Sequence, residues 1–170
     1  ISPPNFPANP LVDYASDRKW TLAPFDFAAL KLLFAEWGQG MEAGGGWNAL
    51  FWNNHDQPRA VSRFGDERHR VASAKLLAAV LHLQRGTPYL YQGEEIGMQN
   101  ARFASVDEMR DIESLNHHRA AMARGEDEAE LMIALNAISR DNARTPMQWE
   151  PTPQAGFTSG EPWMRVNGDV

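Results

Sequence analysis

Trp47–Asn48–Ala49–Leu50–Phe51–Trp52–Asn53 and, after a helical stretch, Tyr89–Leu90–Tyr91 decide the fold. The first run is short, aromatic and apolar, interleaved with asparagine, and fits a buried strand by length and composition. A polar loop follows it, and then the pattern predicts a helix from about Arg68 to Leu83. Val71, Leu76, Leu77, Val80, Leu81 and Leu83 are spread around most of that helix, which implies burial on more than one side. Gly86–Thr87–Pro88 breaks the helix, and Tyr89–Leu90–Tyr91 reads as a second short strand. Strand, helix and strand without a hairpin form a βαβ unit, whose strands lie parallel with a right-handed crossover. The fold class is α/β.

Working outward, Phe27, Leu30, Phe34, Trp37 and Met41 recur at three- and four-residue steps and lay an apolar stripe along a helix. Asp26 is placed to cap it by accepting the free first-turn N–H groups, and Gly44–Gly45–Gly46 ends it. Ahead of this, Ile1 to Pro10 carries four prolines and no period, and reads as an extended, poorly ordered arm. Downstream of Gly97 a helical pair is expected. Ser105 with Glu108 makes a capping box, and Met109, Ile112, Leu115 and Met122 follow on one face. Gly125 closes that helix, and Asp127 with Glu130 opens another carrying Leu131, Leu135 and Ile138. From Asp141 to Val170 the chain is rich in Pro, Gly and Trp, and reads as an ordered irregular loop.

At 170 residues the chain is about one domain's length and can bury a core. Sixteen basic against twenty-two acidic residues give a net charge of −6, which argues against a nucleic-acid partner. The absence of cysteine excludes disulfides, thiolate metal sites and a cysteine nucleophile. No run approaches the ~18 apolar residues of a membrane span, so no membrane partner is expected. The first residues show no basic and apolar leader, and the expected location is the cytoplasm. Six Trp and eight Phe beside thirteen Gly and eleven Pro suit a loop-rich protein with aromatic walls, such as a binder of sugars or other small molecules.

Ligands of parallel α/β folds sit beyond the carboxyl ends of the strands. The first strand runs out into Asn53–Asn54–His55–Asp56–Gln57–Pro58–Arg59, the second into Gln92–Gly93–Glu94–Glu95. Adjacent strands would bring Asp56 and at least one glutamate to one face. Acids gathered there suit polyol recognition and stabilisation of a cationic transition state. The same Asn-Asn-His-Asp run is also a reasonable turn, since these side chains bond their own backbone. A metal site is the weaker option, because no spaced second His or Cys set accompanies His55 and Asp56. His69 and His82 read as structural, and His117–His118 as a solvated helix face. No phosphate-binding loop, dinucleotide loop or Gly-x-Ser-x-Gly elbow is present.

Phe51–Trp52–Asn53–Asn54–His55–Asp56–Gln57–Pro58–Arg59 resembles the motif at the end of the seventh strand in the α-amylase family of glycoside hydrolases (glycoside hydrolase family 13). Gly86–Thr87–Pro88–Tyr89–Leu90–Tyr91–Gln92–Gly93–Glu94–Glu95–Ile96–Gly97–Met98 resembles its eighth strand. Asp141–Asn142–Ala143–Arg144–Thr145–Pro146–Met147–Gln148–Trp149, with Ala155–Gly156–Phe157–Thr158 behind it, resembles the long excursion after that strand. The three blocks stand in order, are correctly spaced, and point to the α-glucosidase and oligo-1,6-glucosidase branch. The resemblance runs from about Val12 to the end.

The resemblance implies part of a (β/α)8 TIM barrel: an irregular leader over 1–11, barrel over 12–98, and a helical and loop excursion of the same domain over 99–170. Asp56 matches the family's transition-state-stabilising aspartate and His55 its hydroxyl-binding histidine. Arg144 matches an arginine that closes the pocket around the non-reducing glucose. Arg59 matches an arginine near the same rim, and Glu113, in Arg110–Asp111–Ile112–Glu113, an acid on the leaving-group side. Glu94 and Glu95 are given a local structural role. The family's nucleophilic aspartate and general-acid glutamate follow strands four and five, and by the resemblance this chain begins after strand six, without them. Ile1 to Leu11 does not resemble the sixth strand. The implied activity of the complete protein is release of glucose from short α-glucosides with retention, acting on an oligosaccharide or disaccharide substrate with no organic cofactor and no metal ligated by these residues. A non-catalytic glucan-binding or subunit protein that kept the barrel remnant is the alternative. Intact His55, Asp56 and Arg144 favour the enzyme, because a scaffold would not need all three.

Overall fold

Parallel pairing of two short strands organises the larger part of the molecule. The computed structural model describes residues 19–22 and 25–168, so the expected arm over 1–10 lies outside the described residues. Two compact units divide between Asn48 and Ala49, within the stretch 12–98 expected to be barrel.

The first unit contains α1, Phe27–Ala43. Asp26 caps it as its sequence predicts, with one carboxylate oxygen accepting the N–H groups of Ala28 and Ala29 at 2.9 and 3.0 Å. Leu30, Phe34, Trp37 and Met41 are half-buried along one stripe, whereas Phe27 at its start is exposed. The helix stops at Gly44, and Gly45 takes the positive φ of 68° that turns the chain away.

In the second unit β1 is Ala49–Leu50 and β2 is Thr87–Pro88. They pair in parallel, Ala49 with Thr87 and Leu50 with Pro88, and the Tyr89 N–H donates to the Leu50 carbonyl at 2.7 Å. The second strand therefore starts two residues before the expected Tyr89–Tyr91. Pro88 tolerates this position because a strand with one neighbour can leave a missing N–H on its open side. Both strands are shorter than the apolar runs suggested, each having a single partner among the described residues.

The crossover holds more helix than the sequence pattern gave. Residues expected to be polar loop form α2, Ala60–Phe64, too short for a periodic signal. A 3₁₀ turn over Glu67–His69 then leads into α3, Arg70–His82. Trp52, just past β1, fastens both helices: its indole N–H donates to the Leu77 carbonyl at 2.8 Å and its ring lies 5.0 Å from that of Phe64. The expected burial of α3 on more than one side is not observed. Only Leu81 is buried, and Leu76 and Leu83 stand 64% and 85% exposed. The apolar residues are there, but no element among the described residues covers that face.

Beyond β2 the chain builds a helical layer. The Ser105 capping box does not form. Ser105 precedes a 3₁₀ turn, Val106–Glu108, without a side-chain cap, and Asp111 instead caps α4, Ile112–Ala123. The buried face of α4 is made by Ser114 and Ala121, while Ile112 is 62% exposed. His118 belongs to an interhelical contact rather than a solvated face: its ring nitrogen lies 3.2 Å from Glu128 Oε1 on α5, Glu128–Ile138. Asp127 caps α5 through the Glu130 N–H, and Leu131, Leu135 and Ile138 are buried, both as the spacing predicts.

A short α6, Asp141–Arg144, opens the C-terminal excursion, and a 3₁₀ turn over Pro153–Gly156 interrupts it. Side-chain amides hold this aperiodic stretch in place. Asn167 Nδ2 donates to the carbonyls of Gln99 and Asn100 at 3.0 and 3.1 Å, and Gln148 Nε2 donates to the Asn167 carbonyl at 2.7 Å. Among the described residues no helix is long and apolar enough to cross a membrane.

Arg59 joins these pieces. It is 1% exposed, and its guanidinium donates to the carbonyls of Asn142 at 2.9 Å, Gln92 at 2.6 Å and Ala143 at 3.4 Å. It also lies over the Tyr91 ring. Gly93 makes this approach possible: at φ 92° it has no side chain, and a Cβ there would sit 2.9 Å from Arg59 Nη1. Hydrogen bonds from a charged donor contribute ~1.5–3 kcal/mol each, so Arg59→Ala is expected to destabilise the complete protein by ~3 kcal/mol or more. Denaturant titration checks this. A loss under ~1 kcal/mol would remove Arg59 from the framework.

Candidate active site

The residues after β1 fold into a tight turn that presents Asp56. Asn54 Oδ1 accepts the Asp56 N–H at 2.8 Å, and the Asn54 carbonyl accepts the Gln57 N–H at 3.1 Å. The turn that the sequence allows is thus present, and it projects the carboxylate. The Asp56 side chain is 45% exposed.

Two arginines from the excursion approach one oxygen of Asp56. Arg144 Nη2 donates to Oδ1 at 2.9 Å, and Arg140 Nη1 lies 3.6 Å from the same atom. On the other oxygen, His55 Nε2 is 3.3 Å away. Arg144 Nε also donates to the His55 carbonyl at 3.2 Å, tying the arginine to the turn as well as to its carboxylate. Behind the arginines stands Asp111, whose Oδ1 accepts Arg140 Nε at 3.0 Å and Nη2 at 2.5 Å and lies 3.6 Å from Arg144 Nη1. Glu113 Oε2 is 3.5 Å from Arg140 Nε.

His55, Asp56, Arg144 and Glu113 therefore meet in one cluster, whereas Arg59 lies in the buried framework. The expected rim position of Arg59 is corrected accordingly: with all three guanidinium nitrogens on main-chain carbonyls, it has no fork to offer a sugar. A second correction concerns the acids that join Asp56. They are Asp111 and Glu113, reached through shared arginines, and not the glutamates at the end of β2. Glu94 and Glu95 turn back on their own loop, accepting the N–H groups of Tyr91 at 2.8 Å and Gly93 at 2.7 Å.

Arg140 and Asp111 are members of the cluster that sequence reasoning did not assign. Arg140 had a usable signal, since Arg140 and Arg144 are four residues apart and share a helix face wherever that segment is helical. Asp111 had none, because its partner lies 29 residues away. Both groups are charged. Burial would raise the Asp111 carboxyl, but hydrogen bonds from Arg140 and Ser114 outweigh it and hold the group below the usual carboxylate range. The hydrogen bond to Asp111 in turn raises the Arg140 guanidinium.

Glu94 titrates nearer neutrality. Burial pushes its carboxyl up to about 7, against the lowering effects of the Tyr91 N–H and of Arg59. The folded protein then holds this proton more tightly than the unfolded chain, whose carboxyl titrates at the ordinary 4.5. The stabilising contribution is full below the unfolded value and is lost as pH rises through the folded one. In the complete protein Glu94→Gln, which keeps an acceptor for Tyr91, is expected to raise Tm at about pH 8 and to change it little at about pH 4. An equal shift at both values would mean that Glu94 does not titrate in this way.

The family described as alpha amylase, catalytic domain, matches residues 5–170. The chain is 58% identical over 154 residues to a trehalose-6-phosphate hydrolase of Escherichia coli (strain K12), a match covering 90% of this chain and 28% of that protein. It is 54% identical over 158 residues to an oligo-1,6-glucosidase of Bacillus cereus, covering 92% of this chain and 28% of that enzyme. Among solved structures, the trehalose-6-phosphate hydrolase of Bacillus licheniformis superposes with a TM-score of 0.87 at 52% identity, over 94% of this chain and 29% of that one. The chain thus spans a little over a quarter of the length of these relatives.

Proposed function

The chain belongs to the alpha-amylase family, as a portion of its catalytic domain, and from that premise we propose that it supplies one wall of an exo-acting α-glucosidase site. The complete protein releases glucose from the non-reducing end of short α-glucosides, with retention. Residues 12–98 contribute the last strands of a (β/α)8 barrel, 99–170 its excursion, and 1–11 a leader. The substrate is an oligosaccharide or disaccharide, met in the cytoplasm without nucleic-acid or membrane partners.

One observation carries this reading: at the carboxyl end of a parallel strand, an exposed carboxylate is held by Arg144 and flanked by His55. Breaking a glucosidic bond builds positive charge on the ring oxygen and anomeric carbon. A fixed carboxylate beside them helps most where that charge is largest, in the transition state. His55 can donate to a sugar hydroxyl and hold the distorted ring. Arg144, fixed on both Asp56 and the His55 carbonyl, closes the pocket around the terminal glucose, and Glu113 lies on the leaving-group side. Retention requires a further pair of carboxylates ~5–5.5 Å apart across the scissile bond. We assign that pair to the remainder of the barrel.

The relatives are a trehalose-6-phosphate hydrolase and an oligo-1,6-glucosidase by name. The test is therefore turnover of maltose, isomaltose, sucrose and trehalose 6-phosphate by the complete protein. Release of glucose with retained anomeric configuration from at least one of them supports the proposal. A folded complete protein inert on all four, yet binding glucan, would favour the non-catalytic alternative.

A further inference from the structure

Asp111 lies in the cluster but cannot be reached by a substrate. Its side chain is 1% exposed. Oδ2 accepts the Ser114 N–H at 3.3 Å and the Ser114 hydroxyl at 3.0 Å, so the carboxylate is anchored to the first turn of α4. Ser114 Oγ lies 2.8 Å from Ser139 Oγ, and the Asp111 N–H donates to Asp141 Oδ2 at 2.9 Å. These bonds fasten the start of α4 to the segment that carries Arg140 and Arg144. Oδ1 is then committed to the two arginines.

A buried carboxylate with arginine partners is commonly no more than a framework ion pair. The far ends of these arginines distinguish this one. Arg140 Nη1 and Arg144 Nη2 both converge on Asp56 Oδ1, at 3.6 and 2.9 Å. Long side chains such as these lose much rotamer freedom when held in one geometry. A rigid acceptor behind them restricts that freedom before a sugar arrives, which is the requirement of a preorganised site.

Resting on the role proposed for Asp56, we propose that Asp111 is the positioning residue of this site: it holds Arg140 and Arg144 from behind so that both guanidinium groups fix the same oxygen of Asp56. Asp111 itself touches no reacting atom. Its negative charge also gives the cluster its net negative charge, since without it two arginines would face two carboxylates. Two guanidinium groups face three carboxylates, Asp56, Asp111 and Glu113, an excess of negative charge that suits a developing cation.

The experiment is a double-mutant cycle in the complete protein, with kcat and KM measured on an aryl α-glucoside. Asp111→Asn preserves shape and an acceptor for Ser114 but removes the charge that fixes the arginines. It is expected to lower kcat ~10-fold or more while KM stays within ~3-fold. Introduced into Asp56→Asn, the same change should cost less than ~2-fold, because the arginines no longer have a carboxylate to place. Unchanged kcat in folded Asp111→Asn, or an equal loss in both backgrounds, overturns the proposal. Should Asp111→Asn fail to fold, Ser114→Ala, which removes the hydroxyl that anchors Asp111 Oδ2 and touches neither arginine nor Asp56, carries the same cycle. Its non-additivity with Asp56→Asn supports the proposal and its additivity overturns it. Full activity of Asp56→Asn would instead defeat the functional reading on which this inference rests.

Discussion

The 170-residue chain by itself is expected to release no measurable aglycone from an aryl α-glucoside. Retaining hydrolysis needs two carboxylates on opposite sides of the scissile bond. The carboxylates gathered here, Asp56, Asp111 and Glu113, share two arginines, and the pair that cleaves the bond is the one proposed above for the remainder of the barrel. The chain also lacks the means to complete its sheet and core. A barrel closes its sheet and leaves no edges, whereas among the described residues this sheet has two strands of two residues each. Val71, Leu76, Leu83, Tyr89 and Leu90 are all more than half exposed. Such a surface is expected to bind hydrophobic dyes and to promote association. The check is a turnover assay on the purified chain beside dye binding and sedimentation. Hydrolysis by a monomeric chain that excludes dye would contradict both arguments.

Local chemistry was the legible part of the fold. Asp26 and Asp127 cap their helices by accepting N–H groups two or three residues ahead, a geometry contained in the sequence itself. Leu131, Leu135 and Ile138 face the core at the spacing a helix dictates. Where the outcome depended on distant partners, the pattern was less informative. Ser105 and Glu108 have the spacing of a capping box, but Asp111 captured the helix start because Ser114, Ser139 and Arg140 surround it. Thr87–Pro88 reads as a break, yet pairing with β1 makes it strand. Arg59 reads as a rim residue, and only the assembled chain shows three carbonyls enclosing it. In the site, Asp56, His55 and Arg144 came from motif resemblance. Arg140 and Asp111 required tertiary contacts.

Replacing Asp56 by asparagine in the complete protein is expected to lower kcat by ~10²-fold or more, the scale of losing one electrostatic stabiliser. Asparagine keeps the size of the side chain and an acceptor for Arg144, so the turn held by Asn54 should persist. On the role proposed for Asp56, what it removes is the negative charge that opposes the cation forming on the sugar. Since that charge is small in the ground state, KM should move only a few-fold. Stability should change little as well, because the carboxylate is nearly half exposed and exposed ion pairs contribute ~0–1 kcal/mol. Arg140 and Arg144 would keep their second acceptor, Asp111. The most direct measurement is therefore kcat of the Asp56→Asn variant relative to the parent, on an aryl α-glucoside, in protein shown to be folded by its melting profile. The account predicts a loss of ~10²-fold or more with a parental Tm. A folded variant that retains kcat within a few-fold would make Asp56 a turn residue and contradict the assignment at the centre of the site.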